Sequence, residues 1–111
     1  MSSSHTTQLR VVRLPGQGGL QMIGEVDLST REVWRTALEP VAVNTVPGRL
    51  DLARLSFIDT HGTTMLLDAA QRRPDPTPLT LTRPPTILLR VLPLLCPAER
   101  AKIVIDERGT S

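Results

Sequence analysis

The spacing of apolar residues changes along the chain and predicts where strands and helices lie. Apolar positions from Leu9 to Leu14 and from Leu20 to Val26 flank the glycine-rich stretch 15–19, which predicts a β-hairpin. Because this stretch lies between two strands and not between a strand and a helix, we interpret it as a hairpin loop and not as a phosphate-binding loop. Short apolar runs predict further strands at 49–52 with an extension at 55–58, at 79–82 and at 103–105.

Apolar residues at helical spacing predict three helices between these strands. A capping-box pattern at 29–32 predicts the start of the first helix, and Pro40 is expected to stop or kink it after about three turns. Its expected apolar side comprises Val33, Trp34, Ala37, Leu38 and Val41, and we expect Trp34 to lie in the core. The second helix is predicted to follow residues 59–62 and to end before Pro74. Its expected apolar side comprises Met65, Leu66, Ala69 and Ala70.

The third helix is predicted to start at the proline pair 84–85, and Pro93 is expected to limit its length. Its expected apolar side comprises Leu88, Val91, Leu92 and Leu95. Periodicity leaves open whether the stripe 92–95 belongs to the core or forms a second contact surface. Residues 74–78 are rich in proline, which predicts a stiff, extended connector before the fourth strand.

The order β-β-α-β-α-β-α-β predicts an α/β fold with a mixed, mostly parallel sheet, in which the opening hairpin supplies the antiparallel strand. A chain of 111 residues encloses one hydrophobic core, so we expect one domain at 8–106. The polar segments 1–7 and 107–111 are expected to be flexible tails.

Composition and charge disfavour some classes of partner and predict where the protein is located. The formal net charge is +2, the arginines are scattered and aromatic residues make up 2% of the chain, which disfavours nucleic acid as a partner. We expect the arginines to form a solvated surface: Arg10, Arg13, Arg31, Arg35, Arg49, Arg54, Arg72, Arg73, Arg83 and Arg90. The single cysteine, Cys96, cannot form an intrachain disulfide, and no segment has the pattern of a signal peptide or a membrane span, so we expect a cytoplasmic protein without membrane insertion.

Motifs for catalysis, metal binding and cofactor binding are missing from the sequence. It contains no nucleotide-binding glycine loop, no nucleophile elbow and no His/Cys set with metal-ligand spacing. We therefore expect a protein that is not an enzyme and that has no catalytic residues, no metal site and no cofactor.

One segment carries a more specific pattern. The run 55–58 leads into Asp59-Thr60-His61-Gly62 and then into a helix, which resembles the signature of STAS domains, where a strand ends in Asp-Ser/Thr-x-Gly. The stretch 24–27, ending in Asp27, is similar to the family's Gly-x-x-Asp before its first helix, and 49–52 is similar to its central strand. The resemblance extends from Leu9 to Ile105 and implies a STAS fold.

Within that family, the resemblance is to the bacterial anti-sigma factor antagonists, which regulate transcription. It implies binding to an anti-sigma factor that is also a serine kinase, and phosphorylation of the residue before the signature glycine ends this binding. His61 stands at that position and has no hydroxyl group. The expected partner surface comprises Asp27, Asp59, Thr60, His61, Gly62, Thr63 and Thr64.

Thr60 is the candidate phosphorylation site, because its hydroxyl lies next to the position of the usual acceptor. A phosphate would add about −1.5 to −2 charges at a helix N-terminus, where free N–H groups tolerate it, and would oppose an acidic or apolar partner. The alternative is that Asp59 and Thr60 only cap the second helix, and Asp27 has the same alternative at the first helix. His61 is a candidate pH sensor or an exposed partner contact.

A second function is compatible with the same signature. STAS subunits of ATP-binding cassette lipid transporters also carry Asp-Thr-x-Gly, and there the threonine hydroxyl is the important group. Thr60 fits this pattern, so the alternative partner is a transporter ATPase.

Overall fold

The computed structural model describes residues 8–74, 77–95 and 102–107. The expected N-terminal tail, Cys96 and the expected C-terminal tail beyond Glu107 lie outside the described residues, as do residues 75–76 of the expected connector. The predicted element order is confirmed, with one additional short 3₁₀ turn, Leu28–Thr30, before the first helix. The strands are β1 (Leu9–Arg13), β2 (Leu20–Val26), β3 (Arg49–Ile58), β4 (Leu79–Thr82) and β5 (Ile103–Asp106), and the helices are α1 (Arg31–Ala42), α2 (Thr60–Arg72) and α3 (Thr86–Leu95).

The five strands form one sheet in the order β1-β2-β3-β4-β5. The β1–β2 pair is antiparallel, as the predicted hairpin requires, and the other three pairs are parallel. Each crossover moves one strand in the same direction, so right-handed connections place all three helices on one face of the sheet. Contacts of α2 with both α1 and α3 agree with this arrangement. The fold is therefore α/β, with the core between one sheet face and three helices.

The central strand β3 has an irregular burial pattern that explains its two apolar runs. Leu50 and Leu52 are buried at the normal spacing of two, whereas Leu55 and Ile58 are buried at a spacing of three. The register against β2 shifts twice along this stretch, so β3 carries extra residues at two bulges. Each bulge returns the next apolar side chain to the helix-covered face, and the two predicted segments form one strand.

The expectation that Pro40 stops or kinks α1 is wrong about the end of the helix, which continues to Ala42. Val41 and Ala42 are fully buried, and the last turn gains a hydrogen bond from Arg73 to the Val41 carbonyl. Packing and this bond outweigh the loss of one N–H donor. Val33, expected on the apolar side, is instead 43% exposed, because it lies at the edge of the buried stripe.

Helix α3 likewise continues for two residues beyond Pro93. Leu88 is buried and Leu92 packs against the core, as expected, but Leu95 is 42% exposed and Leu94 is 82% exposed. The stripe 92–95 is therefore divided between the core and the surface. None of the helices in the described part of the chain is both long enough and apolar enough to cross a membrane.

Arg73 corrects the expectation that all the arginines are solvated. Its side chain is 4% exposed and donates hydrogen bonds to the Val41 carbonyl (2.6 Å), to Asn44 Oδ1 (2.9 Å) and to the Thr77 carbonyl (3.2 Å). Burial lowers the pKa of Arg73. The planar guanidinium group of Arg73 thus links the end of α1 to the segment that leads into β4.

Candidate functional site

The two aspartates of the predicted surface lie at the same edge of the sheet. Val26 at the end of β2 pairs with Ile58 at the end of β3, and the Asp59 amide donates to the Val26 carbonyl over 3.0 Å. Because β2 and β3 are parallel, the residues that follow them emerge side by side. Asp27 and Asp59 are therefore neighbours, as the sequence analysis anticipated.

Asp27 caps the 3₁₀ turn that precedes α1. Its Oδ1 accepts hydrogen bonds from the Ser29 amide (2.9 Å) and the Ser29 hydroxyl (2.7 Å), while Thr30 Oγ1 accepts from the Asp27 amide (3.0 Å). The capping box is thus formed by Asp27 and Thr30, not by the predicted pattern at 29–32, because the chain first makes a 3₁₀ turn. The bond from the Ser29 hydroxyl is the largest cause of a lowered pKa of Asp27.

Asp59 caps α2 in the same way. Its Oδ1 accepts from the Gly62 amide over 2.7 Å, and its Oδ2 lies 3.4 Å from a guanidinium nitrogen of Arg31 in α1. Thr60 and His61 therefore form the first turn of the helix and are not a separate turn before it. The expected capping role of Asp59 is confirmed, and its ion pair with Arg31 joins the starts of the two helices.

Gly62 and Thr63 lie beneath this surface. Thr63 is 1% exposed, and its hydroxyl donates to the Asp59 carbonyl over 3.0 Å. The Gly62 carbonyl accepts from Nε1 of the buried Trp34 over 3.0 Å, which ties α2 to α1. A Cβ atom at Gly62 would lie 2.6 Å from Val26 Cγ1, so glycine permits this close packing. These two predicted contact residues support the surface from inside the fold.

Thr60, His61 and Thr64 are exposed. The Thr64 hydroxyl donates to the Thr60 carbonyl over 3.1 Å, whereas the Thr60 hydroxyl makes no hydrogen bond with any described residue. Leu28, at the start of the 3₁₀ turn beside them, is 76% exposed. Leu28 was not among the predicted contact residues, although a leucine between Asp27 and Ser29 that fits no apolar periodicity is a signal of an exposed position.

A groove between α1 and α2 continues this surface from Thr64 along the helices. Arg72 crosses it, with ion pairs to Glu39 in α1 (3.4 Å) and to Asp68 in α2 (3.1 Å). The groove is thus lined by charged side chains of both signs around the half-buried Met65. Its exposed charges can provide electrostatic complementarity to a protein partner.

The chemistry available at this edge is that of contact and positioning. The side chains of Asp27 and Asp59 are committed to amide and hydroxyl donors and to Arg31, and among residues 8–74, 77–95 and 102–107 no three His, Asp or Glu side chains gather at metal-binding distance. What faces solvent is a leucine, three hydroxyl groups and an imidazole on a backbone held by the two caps. We name the residues Leu28, Ser29, Thr60, His61 and Thr64 the cap surface.

No protein-family model matches the chain, and the sequence matches no curated protein.

Proposed function

We propose that this protein is a non-enzymatic regulatory module, an anti-sigma factor antagonist that binds an anti-sigma factor of the serine-kinase type through the cap surface. The observation that carries the proposal is the combination of Leu28, 76% exposed, with the exposed first turn of α2. An exposed leucine on a backbone held by two aspartate caps suits a partner that covers it, because the caps already order the backbone and little backbone entropy is lost on binding.

The two helix caps decide which groups a partner can contact. Asp27 and Asp59 are occupied by helix caps, so the partner contacts the groups that the caps hold in place. The expected signature Asp59-Thr60-His61-Gly62 supplies two outward residues, Thr60 and His61, while Asp59 is the half-buried cap and Gly62 is buried. The proposed binding state therefore needs no modification and no bound cofactor.

His61 makes the serine-based release of the partner impossible at its usual position. We propose that the protein stays competent for binding in the presence of the kinase and ATP unless Thr60 is modified. The Thr60 hydroxyl is exposed and has no described hydrogen-bond partner, so it is sterically available. A phosphate there would stand at the α2 N-terminus but close to the Asp59 carboxylate, and its charge would repel an acidic partner.

Binding to a candidate anti-sigma factor kinase, measured by calorimetry, tests the contact surface. Leu28→Ser should weaken binding by about tenfold, since it removes one exposed apolar anchor worth about 1–2 kcal/mol. Leu94→Ser is the matched control, because Leu94 is similarly exposed but lies near the end of α3. Equal effects of the two substitutions, or none at Leu28, would contradict the proposed surface.

Incubation with the kinase and ATP tests the switch. We expect no phosphate on wild-type residue 61 and retained binding, whereas His61→Ser should acquire phosphate and lose binding after the reaction. Phosphate on Thr60 in the wild type, mapped by mass spectrometry, would assign the switch to Thr60. If His61→Ser binds no anti-sigma factor kinase before any reaction, the assignment to this family of partners is wrong.

The second candidate is a subunit that binds the ATPase of an ATP-binding cassette lipid transporter. The free, exposed Thr60 hydroxyl favours it, because that role rests on the threonine and needs no hydroxyl at residue 61. Co-purification of a transporter ATPase, abolished by Thr60→Val and unaffected by His61→Ala, would support this function over the first.

A further inference from the structure

The outer edge of β1 pairs with no other strand in the described part of the chain. In the β1–β2 ladder, the Gln8 carbonyl accepts from Glu25 and the Leu14 amide donates to Gly19, so even-numbered residues of this strand face β2. Alternation then turns the N–H and C=O groups of Leu9, Val11 and Arg13 away from the sheet. They bond no described residue, and the edge presents a template for one more strand.

An apolar hollow adjoins this edge on the helix-covered face. It has a volume of about 430 Å³ and is lined by Val11 on the strand and by Val33 and Ala37 on α1, together with Glu32 and Thr36. Val11 and Val33 are both exposed large apolar residues. A side chain directly opposite Val11 on an added strand would enter this hollow, because paired residues point to the same face.

Two arginines lie on either side of Val11 along the strand. Arg10 points to the open face of the sheet, since its cross-strand neighbour Ile23 alternates with the buried Met22, and Arg13 points to the helix-covered face. Both are exposed, and neither makes an ion pair with a described residue. The edge is therefore positively charged at two positions that lie on either side of Val11.

This charge decides which kind of strand fits. A second copy of β1, paired antiparallel about Val11, would place the two Arg10 side chains diagonally across from each other on the open face, within reach of such long side chains, and this like-charge contact is unfavourable. An acidic strand instead gains a carboxylate beside each arginine. Charge complementarity thus favours an acidic peptide over self-association.

We propose that the β1 edge binds an extended acidic peptide as a sixth, antiparallel strand. From its N-terminus, the bound segment places an acidic residue opposite Arg13, any residue opposite Val12, an apolar residue in the hollow opposite Val11, and an acidic residue opposite Arg10. Main-chain bonds to Leu9, Val11 and Arg13 supply affinity, and the side chains select the acid-x-apolar-acid pattern. This surface is separate from the cap surface.

The probe is the blocked peptide Ser-Glu-Thr-Val-Glu-Thr-Ser, with a control in which lysine replaces both glutamates. NMR-detected amide exchange on the full chain should show protection of Leu9, Val11 and Arg13 on addition of the glutamate peptide, with the Arg10 and Val12 amides unchanged. The lysine peptide should bind at least about tenfold more weakly. Equal binding of the two peptides, or no protection at the outward amides, would overturn the proposal.

Two variants separate charge from backbone recognition. Arg10→Glu/Arg13→Glu should reverse the preference, so that the lysine peptide binds more tightly. Val11→Pro removes an outward N–H but no ladder bond to β2, and edge strands tolerate such a proline, so binding should fall by about tenfold while Trp34 fluorescence stays native. Unchanged binding in both variants would place the peptide elsewhere.

The unliganded chain provides the decisive control for other occupants. Protection of the Leu9, Val11 and Arg13 amides that increases with protein concentration would identify a second copy as the occupant and refute the peptide. Protection of these amides that is independent of protein concentration would show that another segment of the same chain covers the edge, and this result would also refute the peptide proposal. Leu28→Ser should leave peptide binding unchanged, so failure of the peptide site and failure of the cap surface are distinguishable.

Discussion

Gly62→Ala tests the packing that supports the cap surface. The added methyl group would lie 2.6 Å from Val26 Cγ1, 3.0 Å from Ile58 Cγ1 and 3.1 Å from Asp59 Oδ1. Carbon atoms at optimal contact are about 3.5–4.0 Å apart, so the neighbours must move by roughly 1 Å. Val26 and Ile58 are each 1% exposed and lie on paired strands, so neither side chain can turn toward solvent.

Two opposing effects set the magnitude. Alanine is better than glycine inside a helix by about 0.5–1 kcal/mol, and residue 62 does not need a left-handed backbone. Overpacking of a well-filled core costs about 1–3 kcal/mol. Because residue 62 lies in the first turn of α2, the gain is at the lower end of its range, and we expect a net loss of about 1–2 kcal/mol in the free energy of unfolding.

Urea unfolding followed by the fluorescence of Trp34 measures this loss. Trp34 is the only tryptophan, and its Nε1 donates to the Gly62 carbonyl. With a urea dependence of about 2 kcal/mol per molar, the middle of the usual range, the midpoint should fall by about 0.5–1 M without a change in slope. Thr64→Ala, in the same turn but exposed, is the control and should change stability by less than about 0.5 kcal/mol. A Gly62→Ala midpoint equal to or above that of the wild type would refute the packing argument.

Two further predictions concern buried charge and pH. Arg73→Met should reduce the free energy of unfolding by about 2–4 kcal/mol in the same urea assay, because the carbonyls of Val41 and Thr77 and the Asn44 amide oxygen lose their donors; a loss below about 1 kcal/mol would mean that water replaces the guanidinium. The pKa of Asp27 in the folded state lies below its ordinary value of 3.8, so its contribution to stability is present above that value and is lost as the pH falls through the lowered pKa. Asp27→Asn should therefore lose less stability than the wild type on acidification from about pH 5 to about pH 3, and parallel profiles would contradict the capping role.

Local patterns in the sequence were sufficient for the element order. Apolar runs on both sides of a glycine-rich turn identified β1 and β2, and helical spacing placed Trp34 and Leu66 in the core, because the direction of each side chain follows from backbone geometry. The same rules failed where packing outweighs propensity. Proline at position 40 does not end α1, since the residues after it are fully buried.

The candidate site was likewise predictable from the sequence only in part. Capping of α2 by Asp59 was one of two alternatives that the sequence left open, and the placement of Asp27 on the same surface was implied by the family resemblance; the structure has both features. The sequence did not separate the outward Thr60 and His61 from the inward Thr63, because this depends on the phase of the helix against the sheet.

By itself, the sequence determined the α/β order, the hairpin and the Asp59 cap of α2, since these depend on contacts between residues close in the chain. Only the tertiary structure decided that Arg73 is buried, that Leu28 is exposed and that the outer edge of β1, unpaired among the described residues, lies beside an apolar hollow. Each of these features is set by segments far apart in sequence. Whether a side chain or a strand edge is buried depends on which segments pack against it in the fold. The local spacing of apolar residues does not contain that information.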